Sequence, residues 1–175
     1  MIEKLIRRHS IYKGKVLEFC CDDVSLPNGA IATREYVGHP GASAVLPFVD
    51  DVNIVLVKQF RYVINQETYE IPAGKIDIGE TPLDCALREL QEETGYQAKK
   101  IKKMLSFYPS TAFSTELLHI FIASDLHKGA IKPDEDEFVE TEIFSFQNTL
   151  EMVKSGKIID GKTIIAILSF ANSLK

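Results

Sequence analysis

Five charged side chains between Glu80 and Glu93 have the types and spacing for metal chemistry: Glu80, Arg88, Glu89, Glu92 and Glu93. Clustered carboxylate oxygens suit a hard cation, Mg²⁺ or Mn²⁺. Mg²⁺ commonly binds through a few carboxylates plus the phosphates of its substrate, so the acids need not form a closed cage. Such ions neutralise a diphosphate, align an attacking water and stabilise the leaving oxygen. Displacement at phosphorus asks a protein mainly for positioning and charge stabilisation. The plain alternative is a solvated acidic helix face. The segment before the helix, with Gly74, Gly79 and Glu80, contains more than such a face needs.

The element that must position these groups runs from Gly74 to Tyr96, GKIDIGETPLDCALRELQEETGY. Thr81 is an N-cap, Pro82 fits the first helical position, and Asp84 can close a capping box. Gly95 supplies a left-handed stop. Leu83, Ala86, Leu87, Leu90 and Thr94 fall at helical spacing and form the core-facing side. Glu89, Glu92 and Glu93 stand at i, i+3 and i+4, which puts them on the adjacent stripe. Like charges so placed cost roughly 0.2–0.5 kcal/mol per pair. Arg88, four residues before Glu92, gives local relief. Gly74 and Gly79 let the backbone turn tightly beside the acids.

Length and composition set the frame. At 175 residues, 45% hydrophobic and 26% charged, the chain reads as an ordinary globular protein. A net charge of −5 with no basic block argues against a nucleic-acid or membrane surface. Cys20, Cys21 and Cys85 have no zinc spacing and read as reduced thiols of a cytoplasmic protein. The opening MIEKLIRRHS has no apolar run of signal-peptide length.

Strands are expected over 15–23 and 31–37, joined by the Asn28-Gly29 turn signal as a hairpin. A two-stranded unit is marginal in water and needs a partner, for which a second copy of the chain is the economical candidate. After His39-Pro40-Gly41, strands are expected over 42–49, 52–60, 69–71, 100–108, 117–123 and 138–146, the second of them central because VNIVLV is nearly all apolar. Helices are expected near 149–155 and 163–173, with Asp160 and Thr163 opening the last one. Strands before, around and after one central helix indicate a mixed sheet between helices.

The order Gly-x5-Glu-x7-Arg-Glu-aliphatic-x-Glu-Glu-x-Gly, at Gly74, Glu80, Arg88, Glu89, Leu90, Glu92, Glu93 and Gly95, resembles the signature box of the Nudix hydrolases. Tyr96 stands where the strict pattern has an aliphatic residue. The segments REYVGHPGASAVLPF, VKQFRY, YEIPAGKIDIGE, FYPSTAFSTELLHIFIA and PDEDEFVE are similar to one branch, the ADP-ribose pyrophosphatases. The resemblance implies an α/β fold, the Nudix α/β/α sandwich with a mixed β-sheet, preceded by an N-terminal antiparallel β-hairpin subdomain. It also implies two domains: residues 1–40 for dimerisation and an adenine pocket, and residues 41–175 for hydrolysis.

Carried over by that resemblance, Glu89 and Glu93 are the main metal ligands, Glu92 assists them, and the Ala73 carbonyl completes the shell, with Mg²⁺ or Mn²⁺ as cofactor. Arg88 orients the box carboxylates. Gln59, Arg61 and Glu70 meet the terminal ribose and the diphosphate; for Arg61 the plain reading is a strand-end arginine paired with a surface acid. The general base comes from the acidic loop Asp134-Glu135-Asp136-Glu137, with Glu137 first and Glu135 second. Tyr36, or another ring such as Phe19, stacks on adenine, Arg34 lies beside it, and Glu116 is a further contact for metal or substrate. The implied assembly is a homodimer with exchanged N-terminal strands, and the implied reaction splits ADP-ribose into AMP and ribose 5-phosphate. Ser110-Thr111-Ala112 replaces the branch's Ser-Pro-Gly, which leaves open another nucleoside diphosphate sugar or dinucleotide. A nucleotide-sensing module without hydrolysis is the reading from a different class.

Overall fold

The computed structural model describes residues 1–129 and 138–174. The chain divides into two compact units, Met1–Gly41 with Tyr108–Leu117, and Ala42–Phe107 with Leu118–Lys175. Among the described residues no helix is long and apolar enough to cross a membrane.

The first unit is a three-stranded antiparallel sheet of β1 (Lys4–Lys13), β2 (Glu18–Ser25) and β3 (Ile31–Gly38), in that order. The expected hairpin is therefore two strands of three. Its turn holds Gly29 at φ 85°, with the Leu26 N–H on the Ala30 carbonyl at 2.8 Å. β1 has no alternating signature because almost all of it is exposed, and two register irregularities break its period. β2 does alternate, burying Cys20, Asp22 and Val24. The segment Tyr108–Leu117 joins this unit through Val37, whose N–H donates to the Phe113 carbonyl at 2.8 Å and whose carbonyl accepts from Thr115 N–H at 3.0 Å.

The second unit contains β4 (Ala42–Pro47), β5 (Asn53–Arg61), a 3₁₀ turn (Tyr62–Ile64), β6 (Gln66–Glu70), β7 (Ala73–Lys75), α1 (Pro82–Thr94), β8 (Tyr96–Phe107), β9 (Leu118–Lys128), β10 (Val139–Ser145), α2 (Phe146–Lys154) and α3 (Gly161–Ser173). Two sheets form, β7-β4-β9-β8 and β10-β5-β6. β4 and β9 run parallel and the other pairs antiparallel, so the four-stranded sheet is mixed and the three-stranded one antiparallel. β7 lies outside the expected strands and is paired to β4 with Ala73 opposite Ala44. β8 begins directly after Gly95, whose left-handed turn ends α1 and starts the strand, so it is four residues longer at that end than the sequence suggested. Ser145 caps α2 three residues earlier than expected, accepting from Asn148 N–H at 3.2 Å.

β4 is buried along its whole length because helices cover both faces. Ala42, Ala44 and Leu46 pack with Leu56, Ile120, Met152 of α2 and Ile167 of α3. Val45 packs with Ala86 and Leu90 of α1 and with Phe121. A fully buried Leu or Ile contributes roughly 1.5–3 kcal/mol. This double cover anchors α1 against the sheet and fixes which of its sides faces β7.

Candidate active site

α1 starts and stops where its local chemistry dictates. The Thr81 hydroxyl oxygen accepts from Asp84 N–H at 3.2 Å, and the hydroxyl donates to the Asp84 carboxylate at 2.6 Å. Gly95 ends the helix at φ 70°, its N–H on the Gln91 carbonyl at 2.8 Å. The buried side differs from the expected apolar stripe. It comprises Cys85, Ala86, Glu89, Leu90, Glu93 and Thr94, whereas Leu83 is 41% exposed. Glu89 and Glu93, one turn apart, are each only 7% exposed.

Buried carboxylates need partners. Arg88 supplies them in a fork: Nε donates to Glu80 Oε1 at 2.8 Å and Nη2 to Glu80 Oε2 at 3.0 Å. Its Nη1 donates to Glu89 Oε1 at 2.6 Å and to Glu92 Oε2 at 2.9 Å. Nη2 also reaches the Lys75 carbonyl at 3.1 Å. These contacts match the five N–H donors of a guanidinium, so Arg88 is a clamp on the acids. Its bond to Glu80, helped by Asp77 N–H, holds the Glu80 carboxyl at about 2 against the opposing effect of burial. Glu93 Oε2 accepts from Ala73 N–H at 3.1 Å. At Ala73 it is therefore the amide, not the carbonyl, that the structure places on an acid of the box.

Gly74 acts by lacking a side chain rather than by turning the chain. A Cβ there would fall 1.8 Å from Glu89 Oε1, while its backbone lies outside the left-handed region. Gly79, at φ 85° with open space around it, is the glycine that the turn requires. The Cys85 thiol donates to the Lys75 carbonyl at 3.3 Å. Burial, with Glu80 and Glu89 nearby, pushes this thiol up to about 12.

Hard carboxylate oxygens, buried and cradled against a side-chain-free Gly74, fit a divalent cation of the Mg²⁺ class. Among the described residues no three His, Cys, Asp or Glu side chains stand close enough to hold a metal alone. An ion here would complete its shell with substrate oxygens and water, which is how Mg²⁺ is commonly held.

A second cluster lies where β6 ends and α3 begins. Glu70, 2% exposed, accepts from Arg61 Nε at 2.7 Å and Nη2 at 2.6 Å, from the Thr68 hydroxyl at 2.5 Å, and from Lys162 Nζ. Burial pushes its carboxyl up, but the Arg61 guanidinium and the Lys162 ammonium overcome this and hold it at about 2. Arg61 also senses the Glu93 charge. Its side chain is 44% exposed beside a cleft of about 380 Å³ lined with Thr68, Glu70, Ile159, Asp160 and Gly161. Gln59 is half-buried in β5, opposite Thr68. Lys162 is missing from the candidates drawn from sequence. A signal existed, because a cation in the first turn of a helix opposes the macrodipole and calls for a nearby anion.

Three further candidates belong to the first unit. The Tyr36 hydroxyl donates to buried Asp22 at 3.1 Å, which Arg8 also holds at 3.2 Å. Burial and this contact push the Tyr36 phenol up to about 12. Arg34 is forked onto Glu3, with Nε at 2.9 Å and Nη2 at 2.5 Å. Arg8, Arg34, Tyr36 and Thr111–Thr115 line a cleft of about 380 Å³ in that unit. Glu116 follows, its N–H on the Ser114 hydroxyl at 3.1 Å. Glu135 and Glu137 lie outside the described residues.

Comparison with known proteins shows the family. The family model described as NUDIX domain matches residues 38–164. An ADP-ribose pyrophosphatase of Bacillus subtilis (strain 168) is 47% identical over 167 residues, covering 94% of this chain and 90% of that protein. A methanol dehydrogenase activator of Bacillus methanolicus is 42% identical, with the same coverage of 94% and 90%. Among solved structures, an ADP compounds hydrolase superposes with a TM-score of 0.87 at 19% identity, covering 99% of this chain and 95% of that one, a likeness of fold. With the signature box on α1 and a family match over most of its length, the chain belongs to the Nudix hydrolases.

Proposed function

We propose that this protein hydrolyses ADP-ribose to AMP and ribose 5-phosphate with a divalent cation, Mg²⁺ first and Mn²⁺ second. The observation that carries the reading is the buried pair Glu89 and Glu93, the first clamped by Arg88 and seated against Gly74, the second held by the Ala73 N–H. Nudix hydrolases are metal-dependent, and ADP-ribose is the substrate in the name of the Bacillus subtilis relative.

When bound, the cation neutralises the diphosphate. Glu89 and Glu93 hold it, Glu92 assists, the Ala73 carbonyl completes the protein's share, and Arg88 keeps the acids in register. Arg61, with Gln59 and Glu70, meets the diphosphate and terminal ribose from the cleft beside α3. Tyr36 and Arg34 serve the adenine end, and Glu116 is a further contact. Glu137, with Glu135 as the alternative, takes the proton from the attacking water. The water oxygen bonds to one phosphorus as the bond from that phosphorus to the bridging oxygen breaks. The protein works in the cytoplasm, in keeping with three free thiols, as a homodimer with exchanged N-terminal strands. Leu5, Ile6, Ile11 and Tyr12, all more than half exposed on β1, support a partner there. Residues 1–40 then serve dimerisation and the adenine pocket, and residues 41–175 serve hydrolysis.

The test is a panel of ADP-ribose, other nucleoside diphosphate sugars and dinucleotides with Mg²⁺, scored by product release. ADP-ribose should rank first. Faster release from another compound would support the broader substrate reading that Ser110-Thr111-Ala112 raises. Binding without hydrolysis at every metal concentration would favour the sensing module. Glu137→Gln should lower the rate with little loss of binding; damage from Glu135→Gln instead would transfer the role. Sedimentation tests the dimer.

A further inference from the structure

Lys162 sits in the first turn of α3, where a cation opposes the helix macrodipole, and is nevertheless only 11% exposed. It contacts the buried Glu70 carboxylate and lies 3.1 Å from Asp160 Oδ2. Asp160 is already engaged as the cap of α3, accepting from Thr163 N–H at 3.0 Å and the Thr163 hydroxyl at 2.6 Å. That hydroxyl oxygen also accepts from Ile71 N–H at 2.9 Å, which ties the start of α3 to the residue after Glu70. Glu70 thus carries two cations, Arg61 forked across both its oxygens and Lys162 on Oε2.

A buried ion pair is weak evidence for stability, because apolar residues of similar size often serve as well. The second cation has a different consequence. Arg61 and Lys162 together face two acids, Glu70 and Asp160, so Lys162 takes up carboxylate charge that would otherwise leave Arg61 outnumbered. The guanidinium is then fixed in direction by its fork on Glu70 and still attractive to an anion entering the cleft. We propose that Lys162 is a positioning residue for the substrate's diphosphate, acting through Glu70 to hold Arg61 aimed into the cleft with its charge available to an anion. This rests on the reading that Arg61 meets the diphosphate.

The experiment uses the full chain with ADP-ribose and magnesium chloride, measuring KM and kcat separately, and Tm alongside, for Lys162→Met, Lys162→Arg, Arg61→Ala and the Arg61→Ala/Lys162→Met double variant. Lys162→Met should raise KM by about tenfold or more, a coupling of the size that residues sharing one salt-bridge network show. Lys162→Arg should bring KM back toward the wild type. In the double variant, the loss of Lys162 should add nothing to the loss of Arg61. A lowered Tm with unchanged KM would leave Lys162 a purely structural role and overturn the proposal. Additive effects on kcat/KM would overturn it too, while keeping Arg61 at the substrate. Wild-type KM in Arg61→Ala would overturn the placement of Arg61 and this inference with it. Should Lys162→Met fail to fold, Lys162→Gln, which still donates to both carboxylates, must show the same rise in KM; an unchanged KM there overturns the proposal.

Discussion

The Glu89 carboxylate occupies the space where a side chain on Gly74 would stand: a Cβ at position 74 would lie 1.8 Å from Glu89 Oε1 and 2.1 Å from its carboxyl carbon. The strand β7 and the helix α1 are in contact there because one contributes nothing and the other a carboxylate.

Gly74→Ala should therefore displace Glu89 without straining the backbone, which is not left-handed at that position. A displacement of roughly 1 Å at a catalytic group costs about 100-fold in rate. We expect kcat to fall by about that factor while circular dichroism shows the native fold. Full activity would mean that the observed seat of Glu89 is not the working one.

Glu93→Gln keeps an oxygen for Ala73 N–H, now at 3.1 Å from Glu93 Oε2, and removes only the charge. Turnover should drop by more than about 100-fold, since even an outer partner of a metal ligand is worth 10–100-fold. Thermal stability should hold. Wild-type turnover across a magnesium titration would remove Glu93 from the metal site.

Glu70 predicts an acid transition. Burial works to raise its carboxyl, yet Arg61 and Lys162 bring it from 4.5 to about 2. The folded value lies below the unfolded one, so its contribution is complete above about pH 4.5 and lost as pH falls toward 2. At 1.4 kcal/mol per tenfold change this amounts to about 3 kcal/mol. Denaturant titrations across that window should show the wild type losing stability faster than Glu70→Gln. Parallel losses would contradict this assignment.

The cysteines should separate by reactivity. The Cys85 thiol is buried and pushed up to about 12, so it carries almost no thiolate at neutral pH. Cys20 is buried and Cys21 half-exposed. Alkylation of the native protein followed by mass spectrometry should modify Cys21 first, and Cys85 only after unfolding. Rapid native labelling of Cys85 would show that α1 opens away from β7.

Local chemistry was readable from the residues alone. Thr81, Pro82 and Gly95 bound α1 as their side chains and φ preferences dictate, because caps depend on neighbours within a turn. The signature box and its family were equally legible, since the box is one contiguous stretch. The central, apolar β5 was legible for the same local reason. β1 was not, because an exposed strand with two irregularities has no burial pattern to display. The apolar stripe of α1 also pointed slightly wrong: Leu83 is exposed and Glu93 buried, a rotation set by what β4 and β7 present to the helix.

What the residues determined by themselves is a capped acidic helix that carries the signature box of its family. What only the tertiary structure decided is which partner each charge received from outside its own helix. Gly74 makes room for Glu89 across fifteen residues, and Lys162 reaches Glu70 across ninety-two. Such pairings depend on how strands and helices stack, and a buried charge is stable only where that stacking happens to deliver its counter-ion.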